Sequence, residues 1–315
     1  MIEFTKLGAI PYVRTGAELI APIGSGLASA APTPLTYNDP KFFSTPILMQ
    51  GKSPECGGFS LAFVLEYLNS VSTPLSGSFS YAYEKTVDGV PNSDGTTIKA
   101  LGDAAQSAGS CLLNLFTDDG NTTANPQGNS TLYSTATAQA IADALTRAGW
   151  LPMFLNDLSW SGLQSAISKY GVVILEAEVG AQWWTSQYGK TIPVGQTSWS
   201  ANDLFPLVPP SPVVDSHFFV LGGTYNPTEI YFANSWSTEW GQGGFGWLGQ
   251  NYLPFIQNAI VFYKIPPVVQ PKVNTVVSDT TLTPTQKNSI IQAIINDIEQ
   301  EITLIGEELN LTKGR

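Results

Sequence analysis

Asp215-Ser-His217-Phe-Phe-Val-Leu-Gly-Gly and, a few residues on, Tyr231-Phe-Ala-Asn234-Ser-Trp236-Ser-Thr-Glu-Trp240-Gly-Gln-Gly-Gly-Phe245-Gly are the stretches that decide how this chain reads. His217 is the only histidine of the 315 residues. Working outward, a second informative run lies far upstream: Met49-Gln50-Gly51-Lys-Ser-Pro-Glu-Cys56-Gly-Gly-Phe59. Taken singly, none of these residues means much. A cysteine on an apolar helix is usually core, a lone histidine is usually structural, and a loop glutamine is usually solvated. Together, in the order Gln50, Cys56, His217, Asn234, they are the parts of a cysteine-nucleophile hydrolase. The thiol attacks, the imidazole moves the proton, one amide orients the imidazole and the other stabilises the oxyanion.

Composition narrows the field. Charged residues are 12% of the chain, about half the usual share, and Gly and Pro are plentiful with 29 and 22 copies. That balance favours an extracellular or particle-associated setting, such as a virion, over the cytoplasm. A net charge of −11 with no basic cluster argues against a nucleic-acid surface. No run of 18 apolar residues is present, so no membrane span is expected. The apolar stretch from Leu19 to Ala31 is interrupted by Pro22 and two glycines, and does not read as a cleaved signal. One histidine and two separated cysteines make no zinc set, and no metal or cofactor is expected. Cys56 and Cys111 could bridge; a nucleophilic Cys56 has to stay free, which leaves Cys111 as a small core residue.

The pattern along the chain is α+β. Residues 1–32 read as an irregular arm, 33–265 as a compact domain, 266–282 as a stiff Pro-rich linker and 283–315 as an amphipathic helix. Helices are expected over Cys56–Asn69, Thr96–Ala108, Thr135–Ala148 and Ser159–Lys169, with a short strand at Leu151–Leu155. Strands follow from Val172, Phe218, Glu229 and Asn258. The segment from Trp183 to Pro212, with Trp183, Trp184 and Trp199, reads equally as cleft wall or as packing. In the terminal helix Ile291, Ile295, Ile298, Ile302, Ile305 and Leu309 alternate by four and three. The linker is expected to hold this seam away from the domain, for self-association or attachment to a particle. The rival is a helix folded back on its own domain.

At Gln50, Cys56, His217 and Asn234-Ser-Trp the chain resembles the papain-like cysteine peptidases, in their bacterial and viral form, over about 40–265. Asp94-Gly95-Thr96 before a helix is similar to the family's glycine-containing cleft wall. The resemblance implies a two-subdomain fold, with Cys56 on a helical half and His217 and Asn234 on an antiparallel β half. It implies a protein or peptide substrate in contact with Asp94, Gly95, Phe218 and Trp236. It also implies a thiolate at Cys56, an oxyanion site at Gln50 and a Trp236 that shields the His217–Asn234 contact. A cell-wall amide, or binding without catalysis, are the alternatives. The chain departs from the family at Gly57, where a tryptophan usually follows the nucleophile. Thirty-two residues also leave no room for a long inhibitory prodomain.

Overall fold

The computed structural model describes residues 8–21, 36–117, 133–180, 213–264 and 276–297, apart from a few positions inside those ranges. A short strand β1 (Tyr37–Asn38) and helix α1 (Pro40–Ser44) lead into the helical lobe: α2 (Cys56–Asn69), α3 (Gly77–Val87), α4 (Ile98–Ser107) and α5 (Ala138–Leu145). The β lobe follows with β2 (Trp150–Phe154), α6 (Trp160–Tyr170), β3 (Val172–Gly180), β4 (Val213–Tyr225), β5 (Glu229–Ala233), β6 (Phe245–Gly249) and β7 (Ile256–Lys264). The architecture is α+β, as expected, and every strand pairing within the sheet is antiparallel.

Capping residues set the helix bounds. Ser76, Thr97, Thr137 and Ser159 each accept a hydrogen bond from a backbone N–H of the first turn of α3, α4, α5 and α6. The expected helix at 135–148 is therefore shorter, beginning only after Thr137. The sequence pattern did not point to α1 or α3. Helices α2 and α3 touch through glycine: a Cβ on Gly58 would lie 2.2 Å from the Gly77 carbonyl oxygen.

The sheet runs β2-β7-β3-β4-β5-β6, with β1 on β4. Both of its faces are covered, and β4 is apolar without a break over residues 218–221. Phe218 and Val220 face the helical lobe, together with Ile174 and Ile260, while Phe219 and Leu221 face a second core with Leu163 and Ile167 of α6. Alternation along β3 puts Glu176 on the helical-lobe side, in register with Phe218 and Asn258.

The terminal helix begins with a capping box. The Thr283 N–H donates to Gln286 Oε1 and the Gln286 N–H to Thr283 Oγ1. Its described turns, 285–295, lie on the sheet. Ile291 and Ile295 are buried in the same core as Leu163 and Phe219, and Gln292 accepts a hydrogen bond from the Ile20 N–H at 3.1 Å. This part of the helix packs in cis rather than standing off the domain, because Ile291 and Ile295 find a ready apolar face there. Ile298, Ile302, Ile305 and Leu309, like Trp183 to Pro212, lie outside the described residues.

Candidate active site

Cys56 is the first residue of α2, so its thiol sits at the positive end of the helix dipole. The backbone N–H groups of Phe218, the residue after His217, and of Gly57 favour its thiolate form, against the larger opposing effect of burial. Cys56 and Phe218 share one buried cluster between the helices and the sheet. His217 Nε2 lies 2.9 Å from Asn234 Oδ1. That oxygen also accepts the Ser235 N–H at 2.8 Å, which fixes the amide orientation and makes Nε2 the donor. The Trp236 ring covers the imidazole at 5.0 Å between centroids. His217, Asn234 and Trp236 thus form one contact group.

Gln50 is held more firmly than a solvated loop residue. It is fully buried. Its Nε2 donates to the Ser53 carbonyl at 2.8 Å, its Oε1 accepts from the Ser235 hydroxyl at 2.5 Å, and its backbone N–H reaches the Ser235 carbonyl. A bridge between Met49 and Trp236 joins the two segments, so the glutamine and the Asn-Ser-Trp turn form one unit. Ser235 was not foreseen from the sequence in this role.

Gly57 has a geometric reason. A Cβ there would meet Thr96 Cγ2 at 2.5 Å and Glu84 Oε2 at 2.7 Å. Glu84 and Thr96 fill the space beside the nucleophile, which leaves none for a side chain at 57. Glu84 is fully buried, and burial pushes its carboxyl well above the usual range. Nearby, Lys85 builds the cleft wall. Its buried ammonium donates to the carbonyls of Val90, Ser93 and Gly95, each at 2.9 Å, and pairs with Asp88 at 2.5 Å. The Tyr81 hydroxyl accepts the Gly95 N–H at 2.9 Å. Gly95 and Thr96 are therefore rigidly presented, and Asp94 beside them is half-buried.

The arm runs along this wall. Gly8 O accepts from Thr96 N–H at 2.8 Å, Ile10 N–H donates to Thr96 O at 2.7 Å, and Ala9 N–H points to Ser216 O at 3.4 Å. Ala9 is buried in the cluster that includes Ile98, Ile174, Phe218 and Ile260. Gly8 lies against Pro54, two residues before the cysteine, and its φ of +96° is one only glycine adopts freely. Gly8 to Ile10 thus lie along Thr96 and Ser216 through main-chain hydrogen bonds.

Cys56 and His217 are both fully buried. Burial pushes the Cys56 thiol well above its ordinary range. Burial also pulls His217 down to about 4, against the opposing hydrogen bond from Asn234. Both shifts work against the ion pair that the resemblance implies, since burying separated charges is costly.

These features define a papain-like cysteine-protease superfamily fold. Among solved structures, xylellain, a cysteine protease from Xylella fastidiosa, matches with a TM-score of 0.61 at 17% identity, over 84% of this chain and 98% of that one. Procathepsin B from Trypanosoma congolense matches with a TM-score of 0.55 at 12% identity, over 84% and 88%. A Carica candamarcensis cysteine protease in complex with E-64 matches with a TM-score of 0.50 at 16% identity, over 74% and 100%. The likeness spans a bacterium, a trypanosome and a plant, so it marks the superfamily fold and no bacterial or viral subtype. No family profile and no curated protein sequence matches the chain. Among the described residues no three His, Cys, Asp or Glu side chains cluster as metal ligands, and no helix is long and apolar enough to cross a membrane.

Proposed function

We propose that the protein is a cysteine endopeptidase that cleaves peptide bonds through an acyl-thioester on Cys56. The observation that carries this reading is the assembled set: Cys56 at a helix N-terminus, His217 held at 2.9 Å by Asn234, and Gln50 tied to the same turn. With Nε2 donating to Asn234, Nδ1 is the nitrogen left to take the thiol proton. The thiolate then attacks the peptide carbonyl carbon. The oxyanion is met by the Cys56 N–H and the Gln50 amide, a contribution of about 3 kcal/mol per donor. Collapse of the tetrahedral intermediate breaks the C–N bond, and the imidazolium protonates the departing amine. Water, deprotonated by His217, then attacks the thioester, and the thiol leaves with that proton.

The arm favours a peptide over a glycan or a cell-wall amide. Thr96 offers both its N–H and its C=O, and Ser216 its C=O, to an extended main chain. A protein that must first clear this cleft is inactive while the arm is seated. A peptidyl epoxide tests the reading directly. It should alkylate Cys56 once the arm is displaced, and His217→Ala should abolish the reaction. An arm-displaced protein that never reacts is a binding module, not a peptidase.

A further inference from the structure

Beyond Ile10 the arm meets a second set of contacts, away from the reacting residues. The Tyr12 N–H donates to Glu176 Oε1 at 3.2 Å, and its carbonyl accepts from Asn258 Nδ2 at 2.9 Å. The same Nδ2 reaches Glu176 Oε2 at 2.9 Å, which leaves the Asn258 carbonyl oxygen facing the other way. There it meets Arg14: Nε lies 3.1 Å from Asn258 Oδ1, Nη1 3.0 Å from Asn156 Oδ1 and Nη2 2.5 Å from the Leu155 carbonyl. The guanidinium carbon stands 5.0 Å from the centre of the Phe154 ring. Every guanidinium nitrogen has an acceptor, and an aromatic face supports the plane.

We propose that the cleft carries a seat for an arginine side chain, made by Phe154, the Leu155 carbonyl, Asn156 and Asn258, which Arg14 fills in cis and an arginine-bearing peptide fills once the arm lifts. Three features support it. First, the seat is built on rigid elements. Phe154 ends β2, Asn258 lies in β7, and these strands are paired; Phe154 and Asn258 are 3% and 5% exposed. Second, its acceptors are neutral amides and a carbonyl, so vacating it strands no buried carboxylate of its own and exchange between Arg14 and another guanidinium is feasible. Third, the fork geometry and the ring select a planar guanidinium over the compact ammonium of lysine. A net charge of −11 on the chain draws cationic peptides toward it. Next to the seat, the Glu176–Asn258 pair grips the N–H and C=O of one peptide residue whatever its side chain. Backbone grip and arginine seat together specify an extended peptide with arginine two residues beyond the gripped unit. Naming this ligand as substrate rests on the peptidase reading; the seat itself does not.

The test uses the full chain. Arg14→Ala empties the seat, and N-acetyl-arginine amide is titrated against it by calorimetry or amide NMR. Saturable binding to Arg14→Ala is expected, with at least tenfold weaker binding to the wild type, whose own arginine fills the site. Asn156→Ala added to Arg14→Ala should weaken binding by about tenfold, and N-acetyl-citrulline amide and N-acetyl-lysine amide should bind at least tenfold more weakly. If Arg14→Ala does not fold, Arg14→Lys provides the same comparison. Absence of binding to the emptied chain, or equal binding of the citrulline amide, overturns the seat. Binding is read without reference to hydrolysis, so loss of binding overturns the seat alone, while failure of the opened Gly8→Ala chain to cleave peptides overturns the peptidase reading alone.

Discussion

Replacing Gly8 by alanine should lift the arm out of the cleft and speed modification of Cys56. The added Cβ would stand 2.0 Å from the Pro54 carbonyl oxygen and 2.9 Å from its Cα, both backbone atoms that cannot swing aside. The residue also has φ +96°, a region that costs a non-glycine residue on the order of 1–3 kcal/mol. Overpacking adds a comparable amount. A combined penalty of about 3 kcal/mol shifts the closed-to-open balance roughly 100-fold. The assay is the rate of iodoacetamide labelling at Cys56, site-resolved by mass spectrometry. Cys111 is the internal control: it forms no disulfide, is fully buried, and sits in a separate cluster with Phe79 and Ala140. A large gain at Cys56 with no change at Cys111 is the expected result. An unchanged Cys56 rate in a folded Gly8→Ala protein refutes the arm as the barrier, and an equal gain at both cysteines points to general loosening instead.

Gln50→Ala should lower kcat on the order of 100-fold with little change in KM. It should also cost about 1–3 kcal/mol of stability, because the Ser235 hydroxyl and Ser53 carbonyl lose buried partners; kinetics and denaturant midpoints check both. Two buried groups should tilt stability against pH in opposite senses. His217, held at about 4 against an ordinary 6.5, refuses a proton that the unfolded chain accepts, so its contribution is lost as pH falls from 6.5 to 4. Glu176, raised by burial to about 7 from 4.5, keeps a proton that the unfolded chain releases, so its contribution is lost as pH rises from 4.5 to 7. Glu176→Gln should therefore steepen acid destabilisation and His217→Gln should reverse the slope; parallel melting profiles for the two variants would refute the assignment. Ile295→Ala should cost about 2–5 kcal/mol in the monomer without altering light scattering, since this side chain is 1% exposed within the cis-packed core.

The sequence exposed the candidate residues better than it exposed the arm beside them. Cys56, His217 and Asn234 stand in local patterns, an apolar helix and an apolar strand, that keep their register whatever surrounds them. The arm left no such trace, because Gly8, Ala9 and Ile10 hold the cleft through main-chain hydrogen bonds that do not depend on side-chain type. Helix α3 was hidden for a related reason. Ser78, Ser80, Glu84 and Lys85 are all buried in it, so its inward residues do not follow hydrophobic periodicity. Gly57 was legible as a departure, but its cause lies in Glu84 and Thr96, which are distant in sequence. The isoleucine seam shows the limit of pattern reading: residues spaced by four and three serve a coiled coil or a sheet face equally well. Only the sheet beside Ile291 and Ile295 distinguishes the two.

The central claim is that Cys56 cleaves peptide bonds, and hydrolysis of a mixed peptide library by the Gly8→Ala chain, with and without Cys56→Ala, tests it most directly. The account predicts internal cleavage of peptides by Gly8→Ala, with no products above background once Cys56 is also replaced. Products that persist without Cys56, or none from a folded chain whose cleft has been shown to be open, would contradict it.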